Sequence, residues 1–220
     1  MSRLLIAASL IAAFATTSLA SGQRFAAPPP DVGDASGARA DMPRQFREER
    51  VILDRATIRA KLAEQRAANL ARFRAYQQGG VFPSNTFDAR KLNVWMDADG
   101  HLCAAATIIN ASGKTDLVQQ VADQTNFIRL GDVKQGPLMD WILTSGLTQD
   151  EIAAIQEPFL PVYREQPIVE PKLRSAENAR LFKKYKQVTA MIEKNQKKSL
   201  DLAVDRLMKR QDLGWQLVNG

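Results

Sequence analysis

The chain has 220 residues, among them 30 Lys or Arg, 24 Asp or Glu, one Cys and one His, and its formal net charge is +6. This length suits one domain with appendages. A lone Cys cannot form an internal disulfide bond, and one Cys with one His cannot complete a closed structural zinc site. The HExxH metalloprotease motif is likewise excluded, and any Ser-His-Asp or Cys-His catalytic set would have to use His101.

Residues 1–20 have the three parts of a secretory signal peptide. Arg3 supplies a positive start, residues 4–15 are apolar, and small residues precede Ala20. We therefore expect cleavage between Ala20 and Ser21. The apolar run is shorter than the about 20 residues that span a bilayer, and no Cys lies near the cut, so we do not expect a lipoprotein. The sequence predicts a periplasmic or secreted protein.

Two segments precede the central part of the chain. Residues 21–43 are rich in Ala, Gly and Pro and are predicted to be a disordered linker. Residues 44–78 lack Gly and Pro and carry apolar residues at near-helical spacing, which predicts a long basic helix that ends at a glycine pair. Asp54 could cap a new helix start, so a break near residue 54 is an open alternative.

Residues 81–156 are predicted to form a compact, acidic central domain. Residues 81–85 and 92–96 are typical of short extended segments, and 97–100 of a turn. Residues 101–110 could be the second strand of a hairpin or a helix. We favour a helix capped by Asp99, because the polar residues recur at multiples of three rather than in alternation.

The rest of the central domain has clear helix signals. Thr115 or Asp116 opens a helix, and Pro137 opens another that ends at Gly146. The segment from Thr148 to Glu151 has the spacing of a capping box. The last two of these helices are predicted to form a helical hairpin.

Four prolines make residues 157–174 an extended connector. Residues 175–212 contain no Gly or Pro and are predicted to form one long basic helix, about 57 Å long if unbroken. Such a helix either lies along the first long helix or projects. The predicted fold is mainly α, with a compact helical central domain, one or two short extended segments and two long flanking amphipathic helices.

Two motif-like segments lack residues that their chemistry requires. Residues 113–115 read Gly-Lys-Thr, as in a phosphate-binding loop, but Ile108 occupies the place of the first glycine. Residues 97–100 resemble part of a calcium loop, but Trp95 and Ala106 stand at its first and last ligand positions. We therefore expect no nucleotide, cofactor or metal ion.

The helical hairpin at 137–156 also resembles a helix-turn-helix motif. Its second helix carries Asp150 and Glu151 and no Lys or Arg, so the DNA phosphates would repel it. We expect no nucleic-acid partner.

No catalytic set is complete, and the candidate functional residues are those around the predicted turn: Trp95, Asp97, Asp99, His101 and Cys103. On a strand His101 and Cys103 share a face, whereas on a helix they diverge by about 200°. Because Cys103 lies in an apolar run, we expect a buried, inert thiol. An oxidation-sensing thiol and an intermolecular disulfide are the alternatives.

The charges are unevenly distributed along the chain. The net charge is +5 over residues 44–74, −6 over 75–171 and +7 over 172–198. Either the basic segments fold back and are partly neutralised, which is the commoner fate of such runs, or they meet an anionic partner.

The function that these features favour is non-enzymatic. We expect an exported protein that binds another protein or an anionic envelope component through its basic helices. The alternatives are an enzyme with a site around residues 95–103 and a holdase-like periplasmic chaperone. Contact of residues 175–212 with a membrane surface is a further hypothesis.

Overall fold

Eight α-helices account for most of residues 53–220, the part of the chain that the computed structural model describes. This confirms the predicted mainly α fold. The helices are α1 Arg55–Gly79, α2 Ala104–Ala111, α3 Thr115–Thr125, α4 Pro137–Thr144, α5 Gln149–Ile155, α6 Pro171–Lys194, α7 Gln196–Leu207 and α8 Gln211–Asn219. The predicted signal peptide with its cleavage site, the predicted linker and residues 44–52 lie outside the described residues.

Helix α1 begins and ends at the signals found in the sequence. The Asp54 carboxylate accepts a hydrogen bond from the Thr57 backbone N–H at 2.8 Å, which caps the first turn. At the other end Gly80 has a φ of +65°, and its N–H donates to the Tyr76 carbonyl. The open alternative of a helix start near residue 54 is therefore what the structure has.

The β structure of residues 53–220 is limited to three isolated bridges, which join Asn85 to Pro161, Leu92 to Phe159 and Met96 to Leu102. The first two tie the segment after α5 to the segment after α1. The proline-rich connector thus packs back onto the central residues. The predicted end of the connector at residue 174 is wrong, because Pro171 is already the first residue of α6. Proline suits this position, since a backbone N–H there would have no partner within the helix.

Helix α2 begins at Ala104, and the prediction that Asp99 caps it is wrong. Cys103 is the N-cap residue, and residues 101–103 are still extended, since Leu102 pairs with Met96. The Asp97 carboxylate binds the backbone N–H groups of Asp99 and His101. These hydrogen bonds stabilise the turn, and the helix begins only after it. Residues 101–103 are therefore extended, and residues 104–110 are helical.

The helix signals between Thr115 and Glu151 are confirmed. Helix α3 begins at Thr115, and α4 begins at Pro137. The Thr148 hydroxyl accepts from the Glu151 N–H at 3.2 Å, and the Glu151 carboxylate accepts from the Thr148 N–H at 2.9 Å. This reciprocal pair is a complete capping box.

The prediction of one unbroken helix over 175–212 is wrong, because three helices cover this segment. The chain breaks at Asn195 and turns again after Leu207. The apolar stripe of α6 ends at Ile192, and Leu200 and Val204 of α7 pack in a different cluster. One straight helix could not place both stripes against their separate cores.

Helix α1 lies antiparallel to α6 and α7, so the C-terminal segment lies along the first helix and does not project. Arg55 pairs with Asp205, and Arg74, near the far end of α1, pairs with Glu193. The C-terminal half of α1 joins a large apolar cluster with α2 to α6, and its N-terminal half joins a smaller one with α7 and α8.

None of the helices in residues 53–220 is both long enough and apolar enough to cross a membrane.

Candidate functional site

The turn at residues 97–100 brings three of the candidate residues together. Asp97 and His101 face each other across it, and the His101 carbonyl accepts from the Asp97 N–H at 3.0 Å. Gly100 has a φ of +82°, which a side chain would strain. The side-chain atoms of Asp97, Asp99 and His101 that could bind a ligand lie within 4.8 Å of one another.

The Asp97 carboxylate is the centre of this turn. One oxygen accepts from the backbone N–H groups of Asp99 at 3.0 Å and His101 at 2.8 Å, and the other accepts from the Ser84 N–H at 2.9 Å. The Nδ1 of His101 lies 3.0 Å from this second oxygen. The side chain of Asp97 is 2 % exposed and that of His101 is 39 % exposed.

These contacts decide what the turn can do. A cation would have to compete with three backbone N–H groups and the imidazole for the Asp97 oxygens. An imidazole oriented by a carboxylate is also one part of a catalytic triad. Within residues 53–220, however, no hydroxyl or thiol is hydrogen-bonded to the other ring nitrogen of His101. The contacts are those of a structural Asx turn.

Trp95 and Cys103 lie in the core rather than in this turn. Trp95 is fully buried, and its Nε1 donates to the Val118 carbonyl at 3.0 Å. The Cys103 Sγ accepts from the Ala106 N–H at the start of α2. Burial raises the pKa of the Cys103 thiol to about 12, so the thiol stays protonated and is a poor nucleophile at neutral pH.

Sequence reasoning missed a buried ion pair between α1 and α5. The Arg66 guanidinium donates to both carboxylate oxygens of Glu151, at 2.7 and 2.8 Å. It also donates to the carbonyls of Gly146 and Ile192, and the Ser199 hydroxyl donates to Glu151 at 2.7 Å. We call Arg66, Glu151 and Ser199 the Arg66 cluster.

The electrostatics of the Arg66 cluster favour the ionised pair. Burial by itself raises the pKa of Glu151, but hydrogen bonds from Arg66, Thr148 and Ser199 outweigh this and hold the pKa below its ordinary value. A carboxylate that stays ionised and fully paired is a structural group rather than an acid or base. The capping box was the available signal for Glu151, whereas no local pattern indicated Arg66 as its partner.

The cations of α1 are largely paired. Arg55 and Arg59 form ion pairs with Asp205 and Asp201 of α7, and Arg74 pairs with Glu193 of α6. The basic charge of α1 is therefore partly neutralised, mainly by the C-terminal helices, while Arg66 pairs with Glu151 of the acidic central segment.

Four lysines of α6 are arranged differently. Lys172, Lys183, Lys186 and Lys194 are exposed, and none forms an ion pair with any residue from 53 to 220. At 100° per residue they fall within an arc of about 80°, opposite the buried stripe of α6. The other residues in this arc are Ala176, Ala179 and Ala190. We call these four lysines the lysine face.

No protein-family model, curated protein or solved structure matches this chain. A function can therefore be inferred only from the chain's own residues, among which the exposed lysines of the lysine face favour an anionic partner.

Proposed function

We propose that the protein is exported and that it binds, without catalysing a reaction, the anionic headgroup surface of a membrane through the lysine face of α6. The observation that carries this proposal is a helix face of exposed lysines and alanines, with no ion-pair partner for the lysines among residues 53–220. From the sequence we expect both basic helices to bind a protein or an anionic envelope component, and residues 175–212 are the candidate for membrane contact. The ion pairs of Arg55, Arg59 and Arg74 favour α6 over α1 as the binding helix.

The dimensions and chemistry of the lysine face suit a flat, anionic surface. Residues 172 and 194 are about 33 Å apart along the helix axis. The alanines between the lysines have short side chains, so all four ammonium groups can reach one plane. Each lysine near an anionic headgroup surface contributes about 1 kcal/mol. The face has no large apolar residue, so the attraction is electrostatic and sensitive to salt rather than insertion-driven.

Co-sedimentation with vesicles tests the proposal. We expect the protein to bind vesicles that contain phosphatidylglycerol, and not vesicles of phosphatidylcholine alone. Raising the salt from about 0.1 M to about 1 M, which shortens the screening length to about 3 Å, should abolish binding. The Lys183→Gln, Lys186→Gln double variant should bind about thirtyfold more weakly, because two contributions of about 1 kcal/mol are lost.

The matched control removes two positive charges elsewhere, through Lys114→Gln and Arg164→Gln, and should bind nearly as well as the unaltered protein. Both residues are exposed and lie outside α6. Equal loss of binding in the two double variants would show that net charge rather than the lysine face is responsible. Equal binding to neutral vesicles would refute the proposal directly.

The enzyme alternative has one observation in its favour, the Asp97–His101 pair. The buried Cys103 weakens it, since that thiol is neither accessible nor ionised. The chaperone alternative and binding to another protein have no specific contact in residues 53–220 that favours them over a lipid surface.

A further inference from the structure

A groove with a volume of about 440 Å³ lies between α4, the start of α5 and the turn that joins α7 to α8. This volume is within the usual range of small-molecule sites. Its apolar lining consists of Val133, Met139 and Leu143. Met139 and Leu143 are four residues apart on α4 and therefore lie on the same side of that helix.

The rest of the groove is strongly cationic. Its cationic lining consists of Lys134, Arg206, Lys209 and Arg210, and no acidic residue from 53 to 220 lines it. Arg210 is neutralised by ion pairs with Asp140 and Asp212. The other three cations form no ion pair within the described part of the chain. The groove therefore combines an aliphatic surface with unpaired positive charge.

The groove has little capacity to recognise a peptide backbone. Among the described residues, Gln149 is the one uncharged polar side chain that lines the groove, and its Nε2 already donates to the carbonyls of Leu130, Gly131 and Val133. Lys134, Arg206 and Lys209 donate hydrogen bonds but accept none, so they match a ligand whose only polar group is an anionic head better than a peptide, whose N–H groups need acceptors.

We propose that this groove binds a long-chain carboxylate, a fatty-acid anion. Its head lies between Arg206 and Lys209, where charge-assisted hydrogen bonds to an anion are strong. Its hydrocarbon chain lies along Val133, Met139 and Leu143. A small inorganic anion would leave the aliphatic surface unused, and a neutral lipid would leave the cations unpaired. This site is separate from the lysine face and does not depend on the function proposed above.

Isothermal titration of the protein with dodecanoate, below the concentration at which it forms micelles, tests the proposal. We expect saturable binding, and binding at least about tenfold weaker to the Arg206→Gln, Lys209→Gln double variant, because two charged hydrogen-bond donors are lost. The Lys114→Gln, Arg164→Gln double variant is the matched control. It loses the same charge at exposed residues that do not line the groove, and it should bind dodecanoate as the unaltered protein does.

A second variant and two further ligands make the test independent of any one substitution. Met139→Gln preserves the side-chain length while making the groove polar, and it should also weaken binding about tenfold. Dodecanol has the chain without the charge, and acetate has the charge without the chain, so each should bind far more weakly than dodecanoate. The proposal is overturned if the unaltered protein does not bind dodecanoate, if dodecanol binds as tightly, or if both groove variants bind normally while folded.

Discussion

At the scale of single residues, the Arg66–Glu151 pair is the most buried ion pair among residues 53–220. The side chains of Arg66 and Glu151 are 2 % and 5 % exposed, and the two residues are 85 positions apart in the sequence. Both groups are saturated by hydrogen bonds, except the Nε of Arg66, which has no partner among residues 53–220. A buried charge is tolerated only while its partner is present.

We expect Glu151→Gln to lower the free energy of unfolding by about 3–5 kcal/mol, because the substitution leaves the Arg66 charge buried without a counter-ion. Gln can still accept at the helix start, so the capping box is largely preserved. Urea unfolding followed by circular dichroism at neutral pH measures the loss. Glu193→Gln removes the exposed partner of Arg74 and is the control, with an expected cost below about 1 kcal/mol. Similar losses in both variants would contradict the assigned role.

The pH dependence of stability gives a second readout of the same prediction. Because folding lowers the pKa of Glu151, its contribution is complete above its unfolded pKa of about 4.3 and is lost as the pH falls through the lower folded pKa. The unaltered protein should therefore lose stability steeply below about pH 4, whereas Glu151→Gln should show a shallower acid limb.

At the scale of elements, the turns between helices depend on glycines for different reasons. Gly146 lies between α4 and α5 with a φ of +74°, and a Cβ there would lie 2.0 Å from the Leu62 carbonyl oxygen of α1. Gly113, between α2 and α3, has a φ of +84°, but no atom of residues 53–220 outside its immediate neighbours would lie within 4 Å of a Cβ there. The Gly146 turn therefore needs glycine both for its left-handed backbone and for its close approach to α1. The Gly113 turn needs glycine only for the left-handed backbone.

Alanine substitution separates these two reasons. Gly113→Ala should cost about 1–2 kcal/mol, the price of a left-handed residue with a Cβ. Gly146→Ala should cost about 4 kcal/mol or more, since α1 must also move and would disturb the Arg66 cluster. Thermal and urea unfolding of both variants measure the difference. Equal losses would mean that the close approach of the Gly146 turn to α1 contributes nothing to stability.

The C-terminal segment shows why the sequence predicts one helix where the structure has three. Its sequence has no Gly or Pro to end a helix over residues 175–212, and the lapse of the apolar stripe at Asn195 and Ser199 was the remaining signal. In the structure Ser199 turns inward to donate to Glu151, and α7 begins at Gln196. A bend without a breaker residue is decided by the partners that the two halves pack against.

At the scale of the whole molecule, the predicted division into a central domain and two flanking helices does not match the packing. Trp95 and Ile109 of the central segment share one apolar cluster with Phe73 of α1 and Tyr185 of α6. The rings of Phe73 and Tyr185 are in edge contact, with centroids 5.5 Å apart. The long helices therefore supply part of the core that the central segment needs.

We expect the fragment of residues 81–156 to be largely unfolded by itself, because its apolar side chains lose the partners on α1 and α6. The fragment of residues 53–220 should fold and unfold cooperatively, since it contains both clusters. Circular dichroism and thermal unfolding of the two fragments test this. A cooperative transition in the 81–156 fragment would instead show that these residues form an independently folding domain.

The sequence predicts only part of how charge is distributed over the folded protein. Counting residues located the basic segments, and helical periodicity would place the lysine face on one side of α6. The segment charges do not predict that Arg59 and Arg55 pair with Asp201 and Asp205, because these aspartates lie after residue 198, where the last compared segment ends. Which cations remain without an ion pair among residues 53–220, on the lysine face and in the groove, is decided by the tertiary structure.

Local sequence determined the class of this fold and those helix ends that carry a capping or stop signal. The Asp54 cap, the stop at Gly80 and the capping box of Thr148 and Glu151 act over about four residues, so they can be read before any packing is known. The tertiary structure alone decided the partner of Arg66, the bend at Asn195, and which cations remain exposed. Those outcomes depend on contacts between residues far apart in the chain, where many pairings satisfy the same local pattern and only the shared core selects one.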